Sequence, residues 1–119
     1  MADLLTQELS ITATVQNLLD SSGAAIGRRA QVTGLLLYNP NPVSVFLKFW
    51  NLEASGVTIG TTAFKDIIEL KPGVSPMPPG HKEYNARYLS FAVTALGTVA
   101  DTTAPANAIV GKMLYKPQY

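Results

Sequence analysis

The chain has 119 residues, a length that fits one domain with a single hydrophobic core. Hydrophobic residues make up 47% of the sequence and charged residues only 14%, below the roughly 25% that is usual for a soluble domain, so we expect other subunits to cover part of the surface. Nine Lys and Arg residues are scattered among eight Asp and Glu residues, which argues against nucleic acid as a partner, and the lack of cysteine excludes disulfides and thiolate metal sites.

The N-terminal residues precede any regular pattern. They contain neither a basic segment nor a long apolar core, so no secretory signal is expected and the product is expected to be made in a cytosol. Leu4 and Leu5 are apolar but stand before the first alternating segment, which predicts that residues 1–8 form an arm that contacts a neighbouring subunit. The alternative is that these residues extend the first strand of the same domain.

Roughly seven or eight short strands follow, separated by turns rich in Gly and Pro. The first is indicated by the alternation of apolar and polar residues over 9–15. No apolar segment has the spacing of a long helix, and none approaches the about 18 consecutive apolar residues of a membrane span. Residues 9–119 are therefore predicted to form one all-β domain, a β-sandwich or barrel. The further predicted strands cover residues 30–38, 43–52, 57–59, 64–70, 87–96 and 108–115, and the predicted connections include 39–42, 72–80 and 97–106.

The strand predicted over residues 43–52 has large apolar side chains on both faces. One face, which includes Val45 and Phe49, is predicted to be core. Phe46 and Trp50 on the other face are more than a solvated surface needs, so another sheet edge, a loop of the same chain or a neighbouring subunit should cover them. We take both as candidate interface residues and expect a homo-oligomer, with a trimer favoured over a dimer.

No catalytic constellation emerges from the sequence. His81 is the only histidine, and Asp66 and Glu69, the only close acidic pair, are an odd number of residues apart and so fall on opposite faces of a strand. One histidine with dispersed carboxylates has no metal-ligand spacing. We therefore expect no enzyme activity, no metal and no cofactor, with a cryptic hydrolase as the remaining enzymatic alternative.

Two residues of the long proline-rich region are further candidates for contacts. His81 and Tyr84 are predicted interface residues because loop tips on a rigid sandwich carry binding functions. Tyr84 could also join Tyr88, Trp50 and Phe46 in a stacking platform for sugars, which keeps a carbohydrate-binding module as an alternative.

Several strand and turn phrases carry a family resemblance. They are residues 35–42 (LLLYNPNP), 45–51 (VFLKFWN), 57–62 (VTIGTT), 68–73 (IELKPG), 88–94 (YLSFAVT) and 102–106 (TTAPA). Together, over roughly residues 30–116, the chain resembles small virion proteins of tailed bacteriophages, especially the jelly-roll-like cement or decoration proteins of capsids.

The resemblance implies a function as well as a fold. It implies a jelly-roll-like β-sandwich at the capsid surface of a virion, made in the host cytoplasm. The implied partner is the major capsid protein, and the implied role is to bridge and stabilise neighbouring capsomers without a cofactor. Related phrases in phage tail and head-fibre proteins leave a carbohydrate-binding or adhesion module as the alternative.

Overall fold

The computed structural model describes residues 5–19, 30–76, 83–84 and 89–117. Within these ranges the chain forms nine β-strands and one turn of 3-10 helix over Ala54–Gly56, which confirms the predicted all-β class. The strands are β1 (Leu5–Ile11), β2 (Gln16–Asn17), β3 (Ala30–Asn39), β4 (Val45–Trp50), β5 (Asp66–Leu70), β6 (Gly73–Pro76), β7 (Glu83–Tyr84), β8 (Ser90–Thr94) and β9 (Ile109–Pro117).

The strands form two antiparallel sheets that pack as a small β-sandwich. Sheet A has the order β1-β9-β3-β6, and β7 pairs with β3 outside this row. Sheet B has the order β2-β8-β4-β5. Neighbours in the sheets are far apart in sequence, since β1 pairs with β9 and β2 pairs with β8. The N-terminal segment thus contributes one strand to each sheet.

The core lies between the two sheets and follows from the period of two along each strand. Val45, Leu47 and Phe49 of β4 point inward, and so do Ile109 and Met113 of β9. Strand residues that alternate with these point away from the core. The buried apolar cluster comprises Leu9, Ile11, Leu18, Leu35, Leu37, Val45, Leu47, Phe49, Ile68, Leu70, Leu89, Phe91, Val93, Ile109, Met113 and Tyr115.

Three predicted elements differ from the structure for local reasons. The strand predicted over residues 9–15 ends at Ile11, and beyond it the N–H of Thr14 donates to the Oγ1 of Thr12 in a bend. Residues 57–59 do not form a strand, because the carbonyl of Thr58 accepts hydrogen bonds from the N–H groups of Thr61 and Thr62 and closes a turn there. The proline-rich stretch 72–80 was predicted to be a connection only, yet it contains β6. Proline is tolerated at the end of β6 because β6 is an edge strand that pairs with β3 on one side.

The start of the described chain belongs to sheet A. Leu5 pairs with Tyr115, and the register continues without a break to Ile11 and Ile109. Residues 5–8 therefore lie in the first strand of the domain, which is the alternative to the predicted arm. Residues 1–4 of that predicted arm lie outside the described residues.

Candidate docking surface

The outer face of sheet B is covered by loops of the same chain. Trp50 is only 2% exposed, and its indole Nε1 donates a hydrogen bond to the carbonyl of Thr62 at 3.0 Å. Phe46 is half-buried beneath Gly97, where a Cβ would lie 3.2 Å from the phenyl ring. The aromatic side chains that suggested a neighbouring subunit are thus packed against loops 51–65 and 95–103, and they no longer support a subunit interface at this face.

A buried lysine fixes one of these loops. The ammonium of Lys48 donates a hydrogen bond to the carbonyl of Thr98 at 2.6 Å and lies 5.6 Å from the centre of the Phe64 ring. Burial lowers the pKa of Lys48, and attraction to Asp101 offsets part of this effect. Lys48 is therefore part of the covering of sheet B.

Asp101 joins the two ends of the loop over residues 95–103. Its carboxylate accepts hydrogen bonds from the N–H groups of Leu96 at 2.8 Å and Thr103 at 3.3 Å. Burial alone would raise the pKa of Asp101. The two backbone hydrogen bonds, a further hydrogen bond from the Thr103 side chain and the positive charge of Lys48 together outweigh burial, so the pKa is lowered. The loop over sheet B is thus held by charged groups at two points.

The outer face of sheet A has a different character. Four of its apolar side chains are exposed: Leu36 by 55%, Tyr38 by 47%, Val74 by 64% and Val110 by 44%. They are adjacent, because Tyr38 pairs with Val74 on one side and with Val110 on the other. Leu36 of β3 pairs with Lys112 of β9, so these two residues are also neighbours on this face. This contiguous apolar patch makes the outer face of sheet A a candidate interaction surface.

These side chains form a shallow depression that we call the apolar groove. Its volume is about 320 Å³, and it is lined by Leu36, Leu37, Tyr38, Val74, Val110, Gly111 and Lys112. Since the side chain of Leu37 is buried in the core, the floor of the groove consists of backbone atoms of Leu37 and Gly111.

Gly111 is required where β9 passes closest to β3 under the groove. Its φ is +153°, and a Cβ at this position would lie 2.0 Å from the carbonyl oxygen of Leu36. No side chain fits there, so β3 and β9 approach each other more closely than any other residue would allow. The glycine therefore permits the close pairing of β3 and β9 on which the groove lies.

A network of asparagine side chains braces the loop beside the groove. Asn39 donates from Nδ2 to the carbonyls of Val43 at 3.0 Å and Leu70 at 2.9 Å, and its Oδ1 accepts from the N–H and Nδ2 of Asn41 at 2.9 Å each. Asn41 also donates to the carbonyl of Asn107 at 2.9 Å and accepts from its N–H at 2.8 Å. Buried networks that are satisfied in this way rigidify the backbone they connect.

The braced loop continues the apolar surface. It follows directly from Tyr38 at the end of β3, and it exposes Pro40, Pro42 and Val43 to solvent. Because the asparagines hold the loop, these apolar residues are presented in one fixed arrangement. Groove and braced loop together form the candidate docking surface.

The predicted interface residues lie elsewhere or outside the description. Leu5 begins β1 and Tyr84 ends β7, both in sheet A, whereas Leu4 and His81 lie outside the described residues. The sequence analysis missed the groove, although its signal was present. Residues 35–38 are four consecutive apolar residues on a strand, which makes both faces of β3 apolar, as the same reasoning recognised for residues 43–52.

Other chemistry finds little support in the part of the chain that the structure describes. There, no three His, Asp or Glu residues are grouped so that they could hold a metal ion. No helix within the described ranges has the length and apolar character needed to cross a membrane. Asp66 pairs with inward-facing Phe49 and Glu69 with Phe46, so the two carboxylates do lie on opposite faces of the sheet.

Comparisons of the chain with protein-family models, with curated proteins and with solved structures found no match. The likeness to phage capsid proteins therefore depends on the sequence phrases alone.

Proposed function

We propose that the protein is a structural virion subunit, a capsid cement or decoration protein that binds the major capsid protein at the capsid surface. It bridges neighbouring capsomers, it acts without a cofactor and it performs no reaction. The observation that carries this proposal is the docking surface of sheet A, where an exposed apolar groove adjoins a loop that asparagines hold rigid. The resemblance of the strand phrases to phage cement proteins supplies the class of partner.

The docking surface suits this role energetically. Covering four half-exposed apolar side chains contributes on the order of 1 kcal/mol for each. The braced loop adds contact area at little entropic cost because it is already ordered. Many copies on one particle make such modest single contacts sufficient, since the bridged capsomers are held together by several subunits at once.

The structure weakens the case for a sugar-binding module. Trp50, the largest member of the suggested stacking platform, is buried under loop 51–65 and bonded to Thr62. Phe46 is half-buried on the same face, and Tyr88 lies outside the described residues. Trp50 and Phe46, the two members whose side chains are described, therefore do not form an exposed stack.

Particle stability tests the proposal. Virions assembled without the protein should release DNA at a lower temperature and after chelator shock. Purified protein added in increasing amounts should restore stability in proportion to occupancy until it saturates. Release is measured by the fluorescence of a DNA-binding dye during heating. An unchanged release temperature at saturating protein would exclude the cement function.

A pair of matched variants connects the effect to the surface. Leu36→Gln replaces an exposed leucine of the groove, and Leu96→Gln replaces a leucine of similar exposure that follows β8 in sheet B. We expect Leu36→Gln to reduce rescue of the particles severalfold and Leu96→Gln to leave it unchanged. Equal rescue by both variants would show that the capsid does not contact the groove.

A further inference from the structure

We propose that the apolar groove binds an extended segment of the partner protein, which places aliphatic side chains in the groove and a carboxylate beside Lys112. This inference rests on the proposed function and specifies what the capsid protein contributes. It concerns the chemistry of the occupant, which can be tested without particles.

The size of the groove favours a segment over a second copy of the chain. Its volume of about 320 Å³ lies near the lower end of the roughly 300–1,000 Å³ of small binding sites. A stable interface between two folded subunits involves about 20–30 residues on each side. Among the residues whose side chains are described, the groove exposes four large apolar ones, Leu36, Tyr38, Val74 and Val110. A few side chains of one partner segment fill it.

The spacing of the groove walls favours an extended segment. Leu36 and Tyr38 are two residues apart on β3, and Val110 and Lys112 are two residues apart on β9. Residues two apart on a strand are separated by roughly 6.7 Å, and their side chains share a face. Alternate side chains of an extended segment that lies along these strands have the same spacing, so they reach successive positions in the groove.

The charge of the groove favours a carboxylate on that segment. Among the described residues that line it, Lys112 alone is charged, and its side chain is exposed. Glu8, the register partner of Lys112 on β1, lies on the side of β9 away from β3 and the groove. A carboxylate that arrives over Leu36 therefore meets Lys112 at the rim, whereas a cation there would be repelled.

Peptide binding to the full chain tests the inference. The probe is a blocked five-residue peptide with Val, Leu and Asp at alternate positions and Thr between them, and its comparison has Asn in place of Asp. Methyl NMR spectra of the labelled protein should show shifts at Leu36, Val74 and Val110. The Asp peptide should bind about two- to fivefold more tightly than the Asn peptide, which is the range of an exposed ion pair.

Two variants test whether the preference for the Asp peptide comes from Lys112 itself or from the net positive charge of the protein. Lys112→Met should abolish the preference for the Asp peptide, and Lys65→Met, at an exposed position outside the groove, should preserve it. Equal binding of both peptides to the unmodified chain would overturn the inference, as would shifts confined to other methyl groups.

Other occupants give distinct outcomes. A dimer in sedimentation equilibrium that dissociates on Leu36→Gln would assign the groove to a second copy and overturn the inference. Laurate that displaces the peptide at a lower concentration would assign it to an acyl chain, with the same consequence. If the peptides bind as expected while particle stability does not respond to the protein, the proposed function fails and the specificity of the groove stands.

Discussion

The outer faces of the two sheets both carry large apolar side chains, but only one of them is covered by the chain itself. On sheet B, Trp50 and Phe46 lie under loops that hydrogen bonds hold in place. On sheet A, Leu36 and Tyr38 are about half exposed, and the neighbouring strands widen the patch. The low content of charged residues is therefore distributed over two different faces, because the chain's own loops cover one and the other leaves apolar side chains exposed.

This difference changes the argument for oligomers. The expectation of a homo-oligomer, with a trimer favoured, was based on the low charge and on the aromatic face of residues 43–52. The second reason is removed, because the chain's own loops cover that face. The first reason remains, so the oligomeric state stays a prediction that sedimentation equilibrium can check.

The largest expected effect compares one aromatic side chain from each face. Trp50→Ala should lower the free energy of unfolding by about 3–5 kcal/mol, because it leaves a cavity under loop 51–65 and the carbonyl of Thr62 without its donor. Tyr38→Ala removes a half-exposed ring and should cost about 1 kcal/mol or less. Urea unfolding at neutral pH measures both. Similar losses for the two variants would contradict the description of one covered and one open face.

The next effect concerns Gly111 of β9, in the sheet whose outer face is exposed. Gly111→Ala should lower the free energy of unfolding by about 3 kcal/mol, because the added Cβ overlaps the carbonyl of Leu36 and the backbone has a positive φ. Gly56→Ala is the matched control, since nothing lies within 4 Å of a Cβ there. Equal stability of the two variants would show that β3 and β9 can separate without cost.

The dependence of stability on pH tests the role of Asp101 in the loop that covers sheet B. Because the folded-state pKa of Asp101 is below its ordinary value of 3.8, the unfolded chain binds more protons at this site between the two values. The contribution of Asp101 to stability is therefore present above that window and lost as the pH falls through the folded-state pKa. The stability difference between wild type and Asp101→Asn should shrink as the pH is lowered from about 6 to about 2.

Urea unfolding at several pH values measures this difference. Glu53→Gln, which removes an exposed carboxylate from another loop, provides the control. A difference between wild type and Asp101→Asn that stays constant, or grows as the pH falls, would contradict the inferred hydrogen bonds to Leu96 and Thr103.

The smallest effect concerns Ser90 of β8, which pairs with Trp50 on the neighbouring strand β4. The hydroxyl of Ser90 is buried and has no hydrogen-bond partner among the described residues. Ser90→Ala removes a desolvated polar group with little change in volume, so stability should stay the same or rise by up to about 1 kcal/mol. The comparison is Thr94→Val on the same strand, which removes a hydroxyl that donates to the carbonyl of Leu96 and should destabilise. A clear loss of stability on Ser90→Ala would indicate a partner for this hydroxyl.

The sequence was sufficient for β3 and β4 because the signal of these strands is local, but β2, β6 and β7 were not predicted as strands. The alternation in β4 and the apolar run of β3 predicted both strands to within a few residues of their observed ends. The pairing order was not predictable in this way, because it depends on contacts between distant segments such as β1 and β9. Local sequence patterns define individual strands, whereas long-range packing determines which strands pair and whether a loop covers the outer face of a sheet.

The candidate site shows the same division. The prolines of 39–42 correctly predicted a connection between two strands. That Asn39 and Asn41 brace this connection could not be inferred, because their partners Leu70 and Asn107 are distant in the sequence. Phe46 and Trp50 were correctly recognised as needing a cover, but only the structure shows that the cover is internal.

The pairing of β1 with β9 also sets the order in which the sandwich can be completed. Strands β4 and β5 are close in sequence and can form a hairpin as soon as both are synthesised. Strand β1 is synthesised before the other described strands, but its partner in sheet A is β9, the last of them. Sheet A is therefore finished only after β9 has been synthesised, and until then the backbone groups of β1 lack their partner strand and can pair with other chains.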